Sequence, residues 1–143
     1  MRTGLPLLLA LALLGCGSSD TTAPSSVDWT GNWAYSHVAG GQGTTCSETG
    51  AIRFESAGSR LAGTFSGRGG CESASLSLDY AKTGPASGQV AGDGVAFTLT
   101  ASLESCVYQG RLDAGATDQA SGSLVCTPAD GGVPRQGSWS MRR

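Results

Sequence analysis

The feature that most constrains the fold is a period-two alternation of apolar residues with small or polar ones. In "SASLSLDYA", residues 73–81, it places Ala74, Leu76, Leu78 and Tyr80 on one side of the chain. This alternation is typical of a β-strand with one buried face. No segment shows the apolar stripe of a helix, so we predict an all-β protein. The same rhythm recurs in segments 48–56, 60–67, 94–101, 106–112, 120–126 and 137–143.

Short signals rich in glycine separate the predicted strands and mark turns. Strands this close along the chain pair most simply as hairpins, which predicts an antiparallel up-and-down meander of about eight or nine strands. Closing the meander into a small barrel removes its unpaired edges. A two-sheet β-sandwich is the alternative. The turn signals are Ala57-Gly58-Ser59, Gly84-Pro85, Gly92-Asp93-Gly94, Gly115-Ala116-Thr117 and the loop from Pro128 to Pro134.

Four cysteines of the predicted domain test these hairpins. Directly opposed side chains in an antiparallel pair have Cβ atoms about 4.5–5.5 Å apart, near the reach of a disulfide. Four cysteines allow three pairings, and only one of them closes both hairpins symmetrically. A four-cysteine zinc site is the alternative, but the chain has no C-x₂-C pair to support it. The predicted disulfides are Cys46–Cys71 and Cys106–Cys126, with Ile52 opposite Phe65 and Tyr108 opposite Leu124.

The chain begins with the pattern of an export signal. Met1-Arg2 is a short positive start, and the apolar run Leu5–Leu14 that follows is shorter than the roughly 20 residues of a membrane-spanning helix. A positive start, a short apolar region and small residues at its end describe a secretory signal, which we assign to residues 1–15. Disulfides persist in the compartments that such a signal reaches.

The stretch Leu13-Leu14-Gly15-Cys16 resembles the lipobox of bacterial lipoproteins. In that family the leader is cleaved before the cysteine, whose sulfur receives a diacylglycerol and whose amino group is usually acylated, with palmitate expected. The resemblance implies that Cys16 is a lipid anchor in the cell envelope. Glycine rather than aspartate at position 17 implies sorting to the outer membrane, with a periplasmic or surface-facing domain. An ordinary signal peptide with an incidental cysteine is the alternative.

Residues 16–27 then form a flexible tether, because small polar residues with one proline cannot bury enough apolar surface to fold. The folded domain is predicted to span residues 28–143, a length that suits one core. The formal net charge is −2, and no basic cluster exists that would follow a phosphate backbone. We therefore expect no nucleic-acid partner.

Short motifs of the domain resemble the lipocalin and avidin-type (calycin) barrels. "TGNW" at 30–33 resembles their opening G-x-W strand, "SRLAGTFSG" at 59–67 an L-x-G-x-[FY] strand, and "GSWSMRR" at 137–143 their closing strand. The resemblance implies a closed barrel in which Arg142, or Arg143 on the other parity, covers Trp33. The biotin-binding residues of avidin have no clear counterparts, so biotin binding is not implied.

The residues on the inward parity define the predicted barrel interior, or lumen. Glycines share this face, and Gly63 opposite Phe54 or Gly88 opposite Phe97 indicates large–small packing that fills the lumen. Alternatively, these glycines leave a cavity for one small ligand. The predicted inward set holds no charge and includes Leu76 and Leu78, so the expected ligand is apolar. The candidate lumen residues are Trp33, Tyr35, Phe54, Phe65, Tyr80, Phe97, Tyr108 and Trp139.

Catalysis is not expected. His37 is the single histidine, and it is interpreted as a solvated residue near a loop. A triad needs a nucleophile, a base and an orienting group, and no such context is present. The acids Glu48, Glu55, Glu72 and Glu104 are scattered, mostly on the outward parity or at loop ends, so paired-carboxylate chemistry has no support. We expect no cofactor and no metal.

Three functions remain open: an anchored barrel that binds a small apolar ligand, a protein-interaction module, and a structural surface protein without a specific ligand. The interaction module would be similar to the barrel-shaped periplasmic protease inhibitors. Its contacts with an envelope protein would use the loops 38–47 and 127–136. An enclosed apolar pocket would favour the first function, and an exposed apolar patch at one barrel end would favour the second.

Overall fold

The computed structural model describes residues 27–143 and shows a closed, all-β barrel of eight strands. The predicted leader, Cys16 and the tether before Val27 lie outside the described residues. No helix within 27–143 could cross a lipid bilayer. The strands are β1 Gly31–Gly41, β2 Thr44–Ala57, β3 Arg60–Glu72, β4 Ser77–Ala91, β5 Gly94–Thr100, β6 Glu104–Leu112, β7 Gln119–Pro128 and β8 Arg135–Arg142.

Every strand pairs antiparallel with its neighbour in sequence, and β8 returns to pair with β1. Tyr35 of β1 lies opposite Met141 of β8 at this closing seam. Closure satisfies the backbone of the first and last strands, which would otherwise be exposed edges. The predicted up-and-down barrel is thus confirmed, and the sandwich alternative is excluded for the described residues.

The two predicted hairpin registers are also present. Cys46 lies opposite Cys71 in the β2–β3 hairpin, and Cys106 lies opposite Cys126 in the β6–β7 hairpin. Both pairs form disulfides, so these sulfurs are not available as zinc ligands. Turns at Gly58, with φ of +62°, and at Gly115, with φ of +77°, set the registers. Glycine adopts these left-handed conformations without the steric cost that a Cβ brings.

Strand β4 differs from the prediction at Gly84-Pro85, where the structure has no turn. The strand continues through both residues and reaches Ala91, which reduces the count to eight strands. β5 is only seven residues long and pairs with β4 from Ala86 onward. Pro85 is tolerated because it stands where this pairing begins, as proline does at sheet edges. Residues 77–85 of β4 consequently pair with β3 but have no partner on β5.

The barrel has two unlike ends. The closed end holds the chain start and the β2–β3, β4–β5 and β6–β7 turns, and Trp29 plugs it. The Trp29 ring stacks on Trp33 with centroids 5.2 Å apart, and both residues are fully buried. Arg143, and not Arg142, covers Trp33, at 4.8 Å from the ring centroid. Trp29 was absent from the predicted core because it precedes the first alternating segment.

Glycines bring neighbouring strands unusually close around the filled part of the lumen. Gly63 lies opposite Phe54 and Gly88 opposite Phe97, as predicted. A Cβ on Gly63 would stand 1.9 Å from the carbonyl oxygen of Arg53, a distance at which the backbone would have to move. These glycines therefore permit a close backbone approach, in addition to leaving space for the facing ring.

Candidate binding pocket at the open end of the barrel

A pocket of about 810 Å³ opens at the end opposite Trp29. Its walls are the part of β4 that has no β5 partner, the β5–β6 loop at 101–103 and the start of the β7–β8 loop at 129–130. Residues from both faces of β4 line it, with Tyr80 and Lys82 pointing inward and Ala81 and Thr83 on the outer parity. The pocket therefore reaches from the open end to the lateral gap left by the short β5.

A charged cluster crosses the lumen beneath this opening. Lys82 Nζ lies 2.7 Å from Glu48 Oε2, an ion pair whose angles fall short of a well-directed hydrogen bond. Lys82 also pairs with Glu104, whose other carboxylate oxygen pairs with Arg135. Glu48, Lys82, Glu104 and Arg135 come from β2, β4, β6 and β8, so each contact spans the lumen between alternate strands. We call these four residues the charged layer.

Two tyrosines connect the charged layer to the core and the pocket. The Tyr35 hydroxyl donates a hydrogen bond to Glu48 Oε1, and Glu48 is only 1% exposed. Burial, followed by the hydrogen bond to Glu48, raises the pKa of Tyr35 far above its usual value. Tyr80 is half-buried at the pocket, with Lys82 Nζ 5.2 Å from its ring centroid. Burial and the nearby Glu48 charge raise the pKa of Tyr80, so both phenols stay protonated.

His37 lies below the pocket, inside the barrel. It is 4% exposed, and its Nδ1 is 2.8 Å from the Tyr108 hydroxyl. Burial lowers the pKa of His37, which Glu48 partly offsets, and burial raises the pKa of Tyr108. The interpretation of His37 as a solvated loop residue was therefore wrong. Its alternating position, with the same parity as Trp33 and Tyr35, outweighs its polarity.

The structure also corrects the prediction of an uncharged interior. Glu48, Lys82, Glu104 and Arg135 all have the inward parity of their strands. Two of the four acids expected mostly on the outward parity or at loop ends, Glu48 and Glu104, therefore face the interior. Their charges are tolerated because each one has an opposite partner; an isolated buried charge would be costly. Parity alone could have identified all four, but their partners lie on distant strands and are brought together only by closure.

The predicted lumen residues divide into three levels. Trp33, Phe54, Phe65, Phe97 and Trp139 are buried in the filled core, where Phe97 stacks on Tyr108 at 4.7 Å. Tyr35 and Tyr108 form the boundary with the polar groups, and Tyr80 faces the pocket. The filled-core and cavity alternatives therefore each describe one half of the barrel.

Exposed apolar side chains lie at the pocket end of the barrel, and two of them, Leu78 and Leu103, line the pocket. Leu76 and Leu78 were predicted to be inward but are 62% and 55% exposed. Leu76 belongs to the β3–β4 loop, and Leu78 faces the opening, where β5 has already ended. Leu103 is 78% exposed in the β5–β6 loop, and Val133 is 50% exposed in the β7–β8 loop. We call Leu76, Leu78, Leu103 and Val133 the apolar rim.

The pocket region does not offer an evident metal centre. Among residues 27–143, the single grouping of three possible metal-ligating side chains is Glu104, Cys106 and Cys126. Both cysteines are joined in a disulfide, so neither provides a thiolate. Glu104 already pairs with Lys82 and Arg135.

Comparison with known proteins identifies the fold but no family. No family model matches the chain, and no curated protein matches it. Solved structures of similar fold include the β-barrel EF1p2_mFAP2b bound to DFHBI, with a TM-score of 0.59 and 12% identity over 80% of this chain and 92% of that one. The redesigned barrel mFAP1 bound to DFHBI has a TM-score of 0.54 and 18% identity over 80% of this chain and 94% of that one. A de novo designed fluorescence-activating β-barrel has a TM-score of 0.53 and 16% identity over 80% and 93%. This chain is therefore similar in fold to small β-barrels, among them ligand-bound designed ones.

Proposed function

We propose that this protein is a non-catalytic binding barrel that takes a small amphipathic molecule into its open-end pocket. The observation that carries the proposal is the pocket of about 810 Å³, with an apolar rim above and a charged layer below. Pockets for small molecules are typically of this size, mostly apolar, with a few placed polar groups. The ligand expected from the sequence was wholly apolar; the charged layer makes an amphipathic one a better match.

The arrangement of the polar groups supports binding over catalysis. The Glu48 carboxylate is held by Tyr35 and Lys82, and Glu104 is held by two cations. His37 points to Tyr108 and is not part of the pocket wall. A catalytic base must reach a substrate proton, which buried groups engaged with one another do not do. The structure of similar fold that is bound to DFHBI also supports a binding function, since a barrel of this fold can hold a ligand.

The proposed setting is the bacterial cell envelope, with Cys16 as a lipid anchor in the outer membrane. Support comes from the resemblance of residues 13–16 to a lipobox and from two disulfides, which persist in oxidising compartments. Several acyl chains would anchor the protein firmly, because each buried CH₂ contributes about 0.8 kcal/mol.

Native mass spectrometry on protein gently extracted from its own membrane tests these proposals together. We expect an acyl mass on Cys16, the loss of four hydrogens to two disulfides and a discrete guest mass that dissociates on activation. Cys16→Ser should release the protein from the membrane, and an unchanged membrane fraction would remove the anchor from the proposal. An empty barrel that also fails to take up added amphipaths would refute the binding function.

A second function is favoured by one observation, the exposure of the apolar rim. Exposed apolar patches often mark protein–protein contacts. The ranges 38–47 and 127–136, predicted as loops, are mostly strand, and only 42–43 and 129–134 connect strands. In this alternative, the rim and these two connections engage an envelope protein. A stoichiometric protein complex in the native spectrum, abolished by Leu103→Ser together with Leu76→Ser, would favour it over the small ligand.

A further inference from the structure

In the charged layer, more hydrogen-bond donors than acceptors remain available at the pocket wall, and this indicates the chemistry of the ligand. Glu104 uses both carboxylate oxygens on cations. Glu48 accepts a hydrogen bond from Tyr35 at Oε1, and its buried Oε2 forms only an ion pair with Lys82. Arg135 has five N–H donors, and its Nη2 contacts Glu104. Its Nε has no partner but is buried, so the donors left for a ligand are on the terminal nitrogens. At the pocket wall both Glu104 oxygens are engaged, and the terminal N–H groups of Arg135 that do not contact Glu104 remain free to donate. This part of the layer is suited to a ligand group that accepts hydrogen bonds.

The depth of the charged residues determines which one a ligand meets first. The exposed fraction of the side chain rises from 0% for Glu48 to 11% for Glu104, 13% for Lys82 and 21% for Arg135. Arg135 is therefore the outermost member, at the pocket wall, and the deeper members hold it from below. A group that enters the pocket meets Arg135, because this residue is part of the pocket wall.

The filled half of the barrel then sets the orientation of the ligand. Below the charged layer, Tyr108 and Phe97 stack on each other in the core and are only 1% and 2% exposed. The polar head of a ligand must stop at the charged layer, and its apolar body must lie toward Leu78 and Leu103 at the rim. The ligand is bound head inward and tail outward.

Charge limits the head group to one negative charge. Lys82 and Arg135 balance Glu48 and Glu104, and Asp130 adds a carboxylate at the pocket wall, although that group accepts a hydrogen bond from Gly132 N within its own loop. A dianion would place additional repulsion beside these acids. An ammonium head would find the buried acids already occupied by Lys82. A single carboxylate gains charge-assisted hydrogen bonds from a guanidinium, about twice as strong as neutral ones.

We propose that the pocket binds a monocarboxylate amphipath, with its carboxylate on Arg135 and its apolar chain against Leu78 and Leu103. The proposal rests on the proposed binding function and specifies the ligand class. Lys82 and Glu104 act as positioning residues that hold the guanidinium at the pocket wall. The carboxylate occupies the donor side of Arg135 that Glu104 leaves free.

Calorimetric titration with three probes of equal chain length tests the head group: laurate, 1-dodecanol and dodecylammonium, each below its aggregation concentration. We expect laurate to bind the unaltered protein at least about tenfold more tightly than dodecanol, and dodecylammonium to bind most weakly. Equal affinities, or preference for the ammonium probe, overturn the carboxylate proposal but leave the binding function standing. Failure of all three probes to bind overturns both.

Variants then test the residue. Arg135→Gln should reduce laurate affinity to the level of dodecanol while leaving dodecanol affinity unchanged. Arg111→Gln, at an exposed outer position of β6, is the matched control and should change neither. Leu103→Ser should weaken laurate and dodecanol by the same factor, because both place the same chain at the rim. If Arg135→Gln lowers the affinities for laurate and dodecanol equally, with its thermal unfolding unchanged, Arg135 does not bind the carboxylate selectively.

Discussion

Replacing Glu48 with glutamine isolates the energetic contribution of the charged layer. The carboxylate is 1% exposed, accepts the Tyr35 hydroxyl and lies 2.7 Å from Lys82 Nζ. Glutamine has nearly the same shape but no charge, so the substitution leaves the packing of the barrel in place. Its amide can satisfy either Tyr35 or Lys82 with its oxygen, and not both with the strength of a carboxylate.

The loss of stability caused by Glu48→Gln depends on the counter-charge that Lys82 still has. Removing one partner of a buried ion pair costs about 3–5 kcal/mol when the other charge is left alone. Lys82 keeps Glu104 as a counter-charge and is 13% exposed, so part of that penalty is avoided. The loss of one charge-assisted hydrogen bond remains, at about 1.5–3 kcal/mol. We expect Glu48→Gln to lower the free energy of unfolding by about 2–3 kcal/mol, with a fall in Tm of about 8–12 °C.

Urea unfolding followed by tryptophan fluorescence measures this change, since Trp33 and Trp139 are buried in the native barrel. The denaturant slope should stay constant, which would show that compactness is unchanged. Glu55→Gln is the control, because Glu55 lies exposed on the same strand, and its effect should stay within about 0.5 kcal/mol. Equal effects of the two substitutions would refute the reasoning. A stabilising Glu48→Gln would show that desolvation of the ion pair outweighs its attraction.

The remaining predictions concern stability. Replacing Cys106 and Cys126 together with serine should lower the free energy of unfolding by about 3 kcal/mol, because the unfolded chain regains the conformational entropy that the disulfide restricts. A non-reducing thermal melt that matches the parent would contradict this. Burial holds the pKa of His37 below 6.5, so the unfolded chain binds the proton more readily. The free energy of unfolding should therefore fall as pH drops below about 6.5, by up to about 1.4 kcal/mol per pH unit, and His37→Asn should remove this component. An identical pH slope in the variant would count against it. Gly63→Ala should cost about 1–3 kcal/mol in urea unfolding, because its Cβ would stand 1.9 Å from a backbone oxygen. Gly40→Ala, with its nearest contact at 3.5 Å, should cost much less, and equal costs would remove the steric explanation.

Alternation and turn chemistry were enough to predict the barrel, because both act locally. The β2–β3 register follows from a turn at Gly58, and once that register is set the position of Cys71 opposite Cys46 follows from counting. The same local logic failed at Gly84-Pro85, where the length of β5 decides whether the chain must turn. A neighbouring strand's length is not encoded in those two residues.

The charged layer shows more clearly what could not be predicted from the sequence. Lys82 and Glu104 are 22 positions apart and on non-adjacent strands, so no sequence spacing links them. Glu48 has the same parity on β2 as the inward residues Ile52 and Phe54, but a single buried carboxylate is costly. The outcome depended on partners supplied by closure of the barrel, which convert a costly buried charge into a paired one. The pocket itself could be predicted only as one of two alternatives, since the number and size of inward residues do not reveal where along the barrel the filling stops.

The two disulfides are placed unevenly in the molecule. Cys46–Cys71 and Cys106–Cys126 both lie toward the pocket end of their hairpins, whereas the opposite end is held by aromatic packing around Trp29 and Trp33. The disulfides thus cross-link the half of the barrel that has the smaller hydrophobic core. In a reducing compartment these two disulfides are absent, while the end of the barrel closed by Trp29 keeps its aromatic packing. Reduction of both disulfides is therefore expected to loosen the pocket end of the barrel before the end closed by Trp29.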